Sequence, residues 1–298
     1  MVMNMKQFSL LLCAVFLLSA LCGCAAQTDA QVAATTLPVY TFTSMLCQGT
    51  DITVTRLVTE SVSCLHDYTL KVDQMRSIEL SELVVISGAG LEDFLEDALT
   101  GAQKTVDASE GLSLLEGSHH HDHDHNHDHG HVHSEDPHIW LSPANAKVMA
   151  HNICHGLCDA YPQYEAVFTA NLQQIYDQLD ALQAYGEEQL SSLSCRELIT
   201  FHDGFSYLAE SFDLHIVHAV EEESGSEASA SELIGLISIV QEHNLPAIFT
   251  ETNGSDAAAS IIAAETGASV YVLDMVMSGE GYFEAMYRNI DTLREALQ

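Results

Sequence analysis

Apolar residues follow a helical pattern over one long stretch in the middle of the chain, from Pro162 to Leu193. Within it, large apolar side chains recur at the steps of three and four that mark one face of an α-helix: Tyr164, Phe168, Leu172, Ile175, Leu179 and Leu182. A helix of roughly 30 residues is about 45 Å long, a length that would connect two lobes of a protein. We therefore predict a linking helix over residues 161–193.

Short apolar runs alternate with helically spaced segments on both sides of the linking helix. The run 83–87 is continuously apolar and ends at glycine, as is typical of a buried parallel strand. Further β segments are predicted at 37–40, 52–58, 197–201, 247–250 and 270–273, and helices at 70–80, 91–99, 229–243, 255–266 and 282–297. Another helix is predicted to begin at Ser142-Pro143, with the serine as its N-terminal cap.

Alternating strands and helices predict an α/β fold. Because the alternation occurs on both sides of the long helix, we predict two α/β lobes joined by one long backbone helix. The N-terminal lobe is assigned to residues 36–160 and the C-terminal lobe to residues 194–298. A chain of 298 residues is long enough for two lobes of ordinary domain size.

The first 24 residues have the layout of a secretory signal. Lys6 precedes an apolar run that is shorter than the roughly 20 apolar residues needed to span a membrane. The ending LCGC at 21–24 resembles a bacterial lipobox, in which the last cysteine is lipidated. We predict a signal peptide over 1–23, a lipid on Cys24 and a flexible tether over 24–35; an ordinary cleaved signal peptide is the alternative. The mature protein is thus expected outside the cytoplasm, at a membrane surface.

The charge of the chain narrows the classes of partner. Forty-three acidic residues stand against nine Lys and Arg, for a formal net charge of −34. Such an excess of negative charge argues against nucleic acid and anionic lipid surfaces as partners, and it favours cations. The sequence contains no HExxH pair, nucleophile elbow or phosphate-binding loop, so we do not expect an enzyme.

Residues 118–134 form a dense run of histidines interleaved with Asp, Asn and Gly. The run has no apolar face with which to pack, so we predict a mobile loop. Neutral imidazole is a good ligand for zinc, copper and nickel, and the loop is predicted to bind metal with low affinity; a solvated spacer is the alternative. Its histidines are His119, His120, His121, His123, His125, His127, His129, His131 and His133.

Four residues outside this loop are candidates for an ordered metal site: His66, His138, His202 and Asp274. His66 follows a predicted β segment, and His138 immediately precedes a capped helix. His202 and Asp274 each stand at the carboxyl end of a predicted strand, which is where ligands bind in α/β sheets. Four such residues at comparable positions predict one common site.

Other residues leave their roles open. Asp67 and Asp203 each stand next to a candidate histidine. Each could orient that histidine or cap a helix, or it could simply lie in solvent. One helix carries metal-binding residue types at steps of three and four, either as a second metal face or as an ordinary surface: His151, Cys154, His155 and Cys158. An odd number of cysteines follows the signal segment, so at least one thiol is unpaired: Cys47, Cys64, Cys154, Cys158 and Cys195.

Longer stretches of the chain resemble the metal-specific solute-binding proteins of bacterial ABC importers, in particular the zinc-uptake branch (ZnuA-like). The similarity covers the whole mature chain through HDY at 66–68, LVVISGAGL at 83–91, DPHIWLSPAN at 136–145, TFHDGFSYL at 200–208, TETN at 250–253 and residues 282–293. DPHIWLSP and FHDGFSYL are the specific motifs among these. One departure is TESVSCL at 59–65, where the family has a Pro-Gly-rich approach to its first histidine, so that Glu60 and Cys64 lie near His66.

The resemblance implies a metal ion held in the cleft between two lobes by His66, His138, His202 and an acidic fourth ligand. We place Asp274 at the fourth position, for which water or Glu60 is the alternative. Three imidazoles and one carboxylate suit four-coordinate Zn²⁺, whereas Mn²⁺ prefers oxygen-rich sites of higher coordination. Zn²⁺ is therefore the predicted ligand, as transported cargo rather than as a catalytic cofactor.

The predicted function is capture of Zn²⁺ outside the cytoplasm and its delivery to the membrane permease and ATPase of an ABC zinc importer. The protein is expected to be a monomer held at the cell membrane by the lipid on Cys24. The alternatives are a zinc buffer or cell-adhesion protein without a transporter, a manganese-capturing protein, and a metallohydrolase in which water replaces Asp274.

Overall fold

The computed structural model of the chain describes residues 30–60, 65, 68–117, 135–220, 229–252, 256–279 and 281–298. Its N-terminal half contains a parallel sheet of four strands: β1 (Val32–Ala34), β2 (Val54–Arg56), β3 (Leu83–Ile86) and β4 (Thr105–Asp107). The strand order is β2-β1-β3-β4. Val32 lies opposite both Val54 and Leu83, so the first strand lies inside the sheet.

The C-terminal half contains a second parallel sheet with the same order of strands. It consists of β5 (Glu197–Thr200), β6 (His215–Ala219), β7 (Ala247–Glu251) and β8 (Ser269–Leu273), arranged β6-β5-β7-β8. All of its neighbouring strands pair in parallel. The chain therefore has the predicted two α/β lobes, and the lobes share one topology.

Helices cover and connect the two sheets. Within the described residues the α-helices are α1 (Leu37–Leu46), α2 (Val72–Leu80), α3 (Glu96–Leu99), α4 (Pro143–Ala160), α5 (Glu165–Gln189), α6 (Ser206–Ser211), α7 (Ala230–Glu242), α8 (Ala257–Thr266) and α9 (Tyr282–Leu297), and 3-10 turns occupy Asp93–Leu95, Ile139–Leu141 and Pro162–Tyr164. The predicted cap of α4 is confirmed: the Ser142 hydroxyl accepts a hydrogen bond from the Asn145 N–H.

One hydrophobic core runs through both lobes. Val85 of the first sheet, Phe249 of the second and Phe168 of α5 are fully buried in the same cluster. Alternate strand residues point to the opposite faces, where Val84 and Ile248 are buried in two separate outer clusters. Both faces of each sheet are thus covered, which accounts for the continuous apolar runs of β3 and β7.

The long helix between the lobes is present, but it is shorter than predicted. Its α-helical part has 25 residues and ends at Gln189, not at Leu193. Just beyond its end, the Ser191 hydroxyl donates to the Glu188 carbonyl at 2.8 Å. Serine side chains compete in this way for backbone groups and favour helix ends. The prediction ran too far because apolar spacing continues past this point.

The strand predicted at 37–40 is wrong, because these residues form the first turns of α1. Pro38 stands in the first turn, where its missing N–H is not needed, and Leu37, Phe42 and Leu46 are all buried. A short apolar run that is buried on several sides does not distinguish a helix from a strand.

The flexible tether predicted over 24–35 is wrong in its last residues. Val32, Ala33 and Ala34 are fully buried and form the inner strand β1. Small side chains fit an inner strand as well as they fit a linker, so composition did not separate the two. The predicted signal peptide and the lipidated Cys24 lie outside the described residues. Within the described part of the chain, no helix is long and apolar enough to cross a membrane.

Candidate metal centre

His138 is held by a neighbouring carboxylate just before the turn that leads into α4. One oxygen of Asp136, Oδ1, accepts from the His138 backbone N–H at 2.9 Å and lies 2.8 Å from its Nδ1. Because an ionised carboxylate only accepts hydrogen bonds, Nδ1 carries the proton. Nε2 is then left with the lone pair that a metal ion needs.

His202 follows β5 and has a carboxylate of the adjacent strand nearby. Its Nδ1 lies 3.8 Å from Oε2 of Glu251, the last residue of β7. Both side chains are buried, His202 with 1% and Glu251 with 5% of their surface exposed. The two residues meet at the carboxyl ends of parallel strands, where α/β sheets bind ligands.

The two imidazoles face each other between the lobes. Nε2 of His138 lies 3.4 Å from Nε2 of His202, and the rings are nearly perpendicular, at 88°. With zinc–nitrogen bonds of about 2.0–2.1 Å, two ligands of a tetrahedral zinc ion lie about 3.4 Å apart. The spacing of the two nitrogens therefore fits a shared tetrahedral metal ion.

Gly204 leaves room for this close approach. A Cβ atom at position 204 would lie 2.8 Å from Cδ2 of His202 and 2.9 Å from Cε1 of His138, which is closer than packed atoms come. On the other side, the Trp140 ring packs edge-on against His138, and its N–H donates to the Met275 carbonyl at 2.8 Å. A side chain at position 204 would push the imidazoles out of position.

His66 lies outside the described residues, and a network of hydrogen bonds joins the residues on either side of it. The Tyr68 hydroxyl donates to Oε2 of Glu60 and accepts from the Gln74 side chain, each at 2.6 Å, and the Lys71 ammonium pairs with Glu60. We call Glu60, Tyr68, Lys71 and Gln74 the clasp. The bond from Lys71, followed by that from Tyr68, lowers the pKa of Glu60 to about 2, and both its oxygens are occupied within the clasp.

Asp274 follows β8 and has partners other than the histidines. Its Oδ1 accepts from the Val276 N–H at 2.7 Å, and its Oδ2 lies 3.1 Å from Nη2 of Arg288. Over the described residues, no three His, Cys, Asp or Glu side chains are grouped so as to hold a metal ion. The structure therefore brings His138 and His202 together without Asp274, whose role as a ligand stays a prediction.

The remaining predicted positions fall in two groups. Asp67 and the histidines of residues 118–134 lie outside the described residues. Asp203 is described, and it lines a cavity of about 430 Å³ between β6 and α7 together with His218 and Glu232.

Of the two roles left open for this face of α4, the ordinary surface is favoured, because among the described residues no three His, Cys, Asp or Glu side chains are grouped to hold a metal ion. Burial raises the pKa of the Cys154 thiol to about 12, so the thiol is protonated in the metal-free protein. His151 lies 3.3 Å from the Tyr176 hydroxyl, and His155 is paired with Asp159. The cysteines of the described part are free thiols: Cys47, Cys154, Cys158 and Cys195.

Sequence reasoning missed the two carboxylates that support the histidines. Asp136 precedes His138 by two residues in the DPH motif, so its position was a usable signal. Glu251 lies in the TETN stretch, but its proximity to His202 arises only when β5 and β7 pair. Such a contact between distant parts of the chain has no local sequence signal.

Two parallel α/β lobes on one long helix, with imidazoles meeting between them, define a class: the two-lobed solute-binding proteins of metal importers. The model of the family described as zinc-uptake complex component A, periplasmic (ZnuA) matches residues 32–296. The chain belongs to this family.

Relatives and solved structures are similar over most of the chain. The high-affinity zinc uptake system protein ZnuA of Bacillus subtilis is 30% identical over 305 residues, covering 95% of each chain. The zinc-binding lipoprotein AdcA of Streptococcus pneumoniae is 29% identical over 98% of this chain but only 61% of its own. A crystal structure of ZnuA has a TM-score of 0.78 at 28% identity and covers 91% of this chain and 100% of that chain.

Proposed function

We propose that this protein is the extracytoplasmic Zn²⁺-binding subunit of an ABC-type zinc importer, which captures Zn²⁺ and delivers it to the membrane permease and ATPase. The observation that carries the proposal is the pair of buried imidazoles from different lobes, with nitrogens 3.4 Å apart. Family membership and the zinc named for the relatives support zinc as the cargo.

The proposed ligands are His66, His138, His202 and Asp274. His138 and His202 each have a carboxylate at Nδ1, an arrangement that orients metal-binding imidazoles and increases their basicity. His66 would approach from the segment between the two sides of the clasp. Asp274 would have to exchange Arg288 for the metal ion.

Nitrogen ligands favour Zn²⁺ over Mn²⁺ at this site. Imidazole suits zinc, whereas manganese prefers carboxylate, carbonyl and water oxygens. His202 occupies the strand end from which an acidic side chain would favour manganese. Two imidazole nitrogens at tetrahedral spacing therefore support zinc as the physiological cargo.

Two features outside the described residues complete the proposal. Residues 118–134 would bind zinc with low affinity and raise its concentration near the cleft, assisted by the net charge of −34. A lipid on Cys24 would hold the protein, as a monomer, at the outer face of the membrane.

Competitive metal titration tests the proposal. Mature protein and a variant lacking residues 118–134 are titrated with Zn²⁺ and Mn²⁺ against chromogenic chelators. We expect one tight Zn²⁺ equivalent in both proteins, with Mn²⁺ bound more weakly. His138→Ala should lose the tight equivalent, while the exposed His215 provides a matched control, His215→Ala, that keeps it.

Other outcomes identify other functions. Loss of tight binding with residues 118–134 would identify a histidine-rich zinc buffer, and tighter Mn²⁺ binding would identify a manganese carrier. Ester or amide hydrolysis by the zinc-loaded protein would point to a metallohydrolase. The importer role requires that deleting the gene impair zinc-limited growth, with rescue by the wild-type chain and not by His138→Ala.

A further inference from the structure

The residues on either side of segment 118–134 form a paired stem. Glu116 and Glu135 pair as an antiparallel bridge, and the Asp136 N–H donates to the Leu115 carbonyl at 2.9 Å. We call Leu115, Glu116, Glu135 and Asp136 the stem. Like charges at opposed positions destabilise strand pairing, so the two glutamates weaken the stem and another contact is needed to hold it.

Tyr207 of the C-terminal lobe provides that contact. Its hydroxyl accepts from the Leu115 N–H at 2.9 Å and donates to the Asp136 carbonyl at 3.0 Å, so it bonds to both sides of the stem. The side chain is 2% exposed, and burial raises the pKa of Tyr207 to about 12. The hydroxyl thus keeps the proton that it donates.

The same hydroxyl is linked to both imidazoles of the candidate metal centre. Asp136, whose carbonyl accepts from Tyr207, uses its carboxylate to hold Nδ1 of His138. His138 faces His202, which stands five residues before Tyr207 in the chain. A continuous series of contacts therefore connects the stem to the Asp136 carboxylate, to the two imidazoles and, along the chain, back to Tyr207 in α6.

We propose that Tyr207 is a positioning residue that couples the stem of segment 118–134 to the zinc site, so that the state of the stem sets how firmly Asp136 holds His138. The inference rests on the proposed zinc function. Removing the hydroxyl would leave the half-buried N–H of Leu115 and the buried carbonyl of Asp136 without this partner. The stem would then shift, and Asp136 would shift with it.

The length of segment 118–134 determines how much the stem depends on the hydrogen bonds from Tyr207. Seventeen residues on a short stem impose a larger closure entropy than a tight turn does. When residues 118–134 are replaced by a two-residue Asn-Gly turn, the turn itself should keep the stem paired. Tyr207→Phe should therefore matter in the full chain and matter much less in the shortened one.

The test is a double-mutant cycle on zinc release. Zn²⁺ affinity and dissociation rate, the latter by chelator chase, are measured for Tyr207→Phe in the full mature chain and in the chain with the turn. We expect Tyr207→Phe to weaken binding and speed release about tenfold in the full chain, at the lower end of the effect of outer partners of metal-bound histidines. In the shortened chain the effect should be under about threefold.

Tyr185→Phe is the matched control, since it removes a hydroxyl that donates to Asp291 at 2.8 Å in a different part of the molecule. It should leave zinc release unchanged even where it lowers the melting temperature of the metal-free protein. Equal affinity in wild type and Tyr207→Phe would overturn the proposal. An equal loss in both chain lengths would also overturn it, because the hydroxyl would then act on His138 without the stem. Failure of the zinc function itself would appear separately, as absence of tight binding in the wild type.

Discussion

The two lobes have the same sheet topology, but they use a buried carboxylate differently at the end of the third strand. In each sheet the second strand in sequence is at the edge, followed by the first, third and fourth. Glu92 lies near the end of β3, and Glu251 ends β7, the corresponding strand of the other lobe. Both carboxylates are almost completely buried.

Glu92 holds the backbone, whereas Glu251 supports a candidate metal ligand. Glu92 accepts from the N–H groups of Ser87 and Gly88 at 2.7 and 3.0 Å and from the Thr35 hydroxyl at 2.5 Å. It thereby fixes the turn after β3. Glu251 instead lies beside Nδ1 of His202. One topology thus places a structural carboxylate in one lobe and a carboxylate beside a candidate metal ligand in the other.

The largest expected effect is the pH dependence of stability that Glu92 causes. Burial outweighs its three hydrogen bonds and raises its pKa from 4.5 to about 7. Between these values the folded state binds more protons than the unfolded state, so stability should fall as pH rises. At about 1.4 kcal/mol per pH unit the total is roughly 3 kcal/mol. Glu92→Gln should flatten this slope in urea unfolding of metal-free protein from pH 4.5 to 7.5.

The exposed Glu79 of α2 offers the control substitution, Glu79→Gln, which should keep the wild-type slope. Since other groups titrate in this range, the comparison is between slopes and not between absolute stabilities. A Glu92→Gln slope equal to that of the wild type would mean that Glu92 stays ionised in the fold. Glu92→Gln should leave zinc affinity unchanged, which separates the structural carboxylate from the functional one.

Glu251→Gln should have the opposite effect to Glu92→Gln, because it should lower zinc affinity. Outer partners of metal-bound histidines contribute about 10- to 100-fold to affinity, so we expect a loss of that size in zinc affinity. Glutamine keeps the shape of the side chain but removes the negative charge that favours a metal-bound imidazole. Competitive titration at constant pH measures the loss, with Glu92→Gln as the reference. Unchanged affinity in Glu251→Gln would show that the 3.8 Å contact does not support the ligand.

Local patterns predicted the elements, and they failed where burial removes periodicity. Helix α9, Tyr282–Leu297, lies where apolar spacing placed it, because one of its faces is buried and the other is polar. Strand β1 and helix α1 were misassigned, since β1 is buried throughout and α1 begins with three buried apolar residues, Leu37, Pro38 and Val39. The edge strand β4 has one buried residue, Val106 between exposed neighbours, and was not predicted at all.

The candidate site also has features that local sequence patterns predicted and features that they did not. His138 and His202 stand out in the sequence because each ends a recognisable element and lies in a specific motif. Their facing nitrogens depend on how two distant lobes pack, and the position of Glu251 beside His202 depends on the pairing of β5 with β7. Only the contact of Asp136 with His138 is local in sequence. Asp274 also ends a strand as predicted, but its nearest cation is Arg288 on α9, a contact that no local pattern contains.

The smallest expected effect concerns that ion pair. Arg288 is 64% exposed, and exposed ion pairs contribute about 0–1 kcal/mol, so its release costs Asp274 at most about fivefold in affinity. If Asp274 is the fourth ligand, Arg288→Gln should tighten zinc binding by a few-fold and Asp274→Asn should weaken it. The double variant should not bind zinc more tightly, because the Asp274 carboxylate that Arg288→Gln would release is absent from it. If neither substitution changes affinity, Asp274 is not the fourth ligand, and that position belongs to water or to another group.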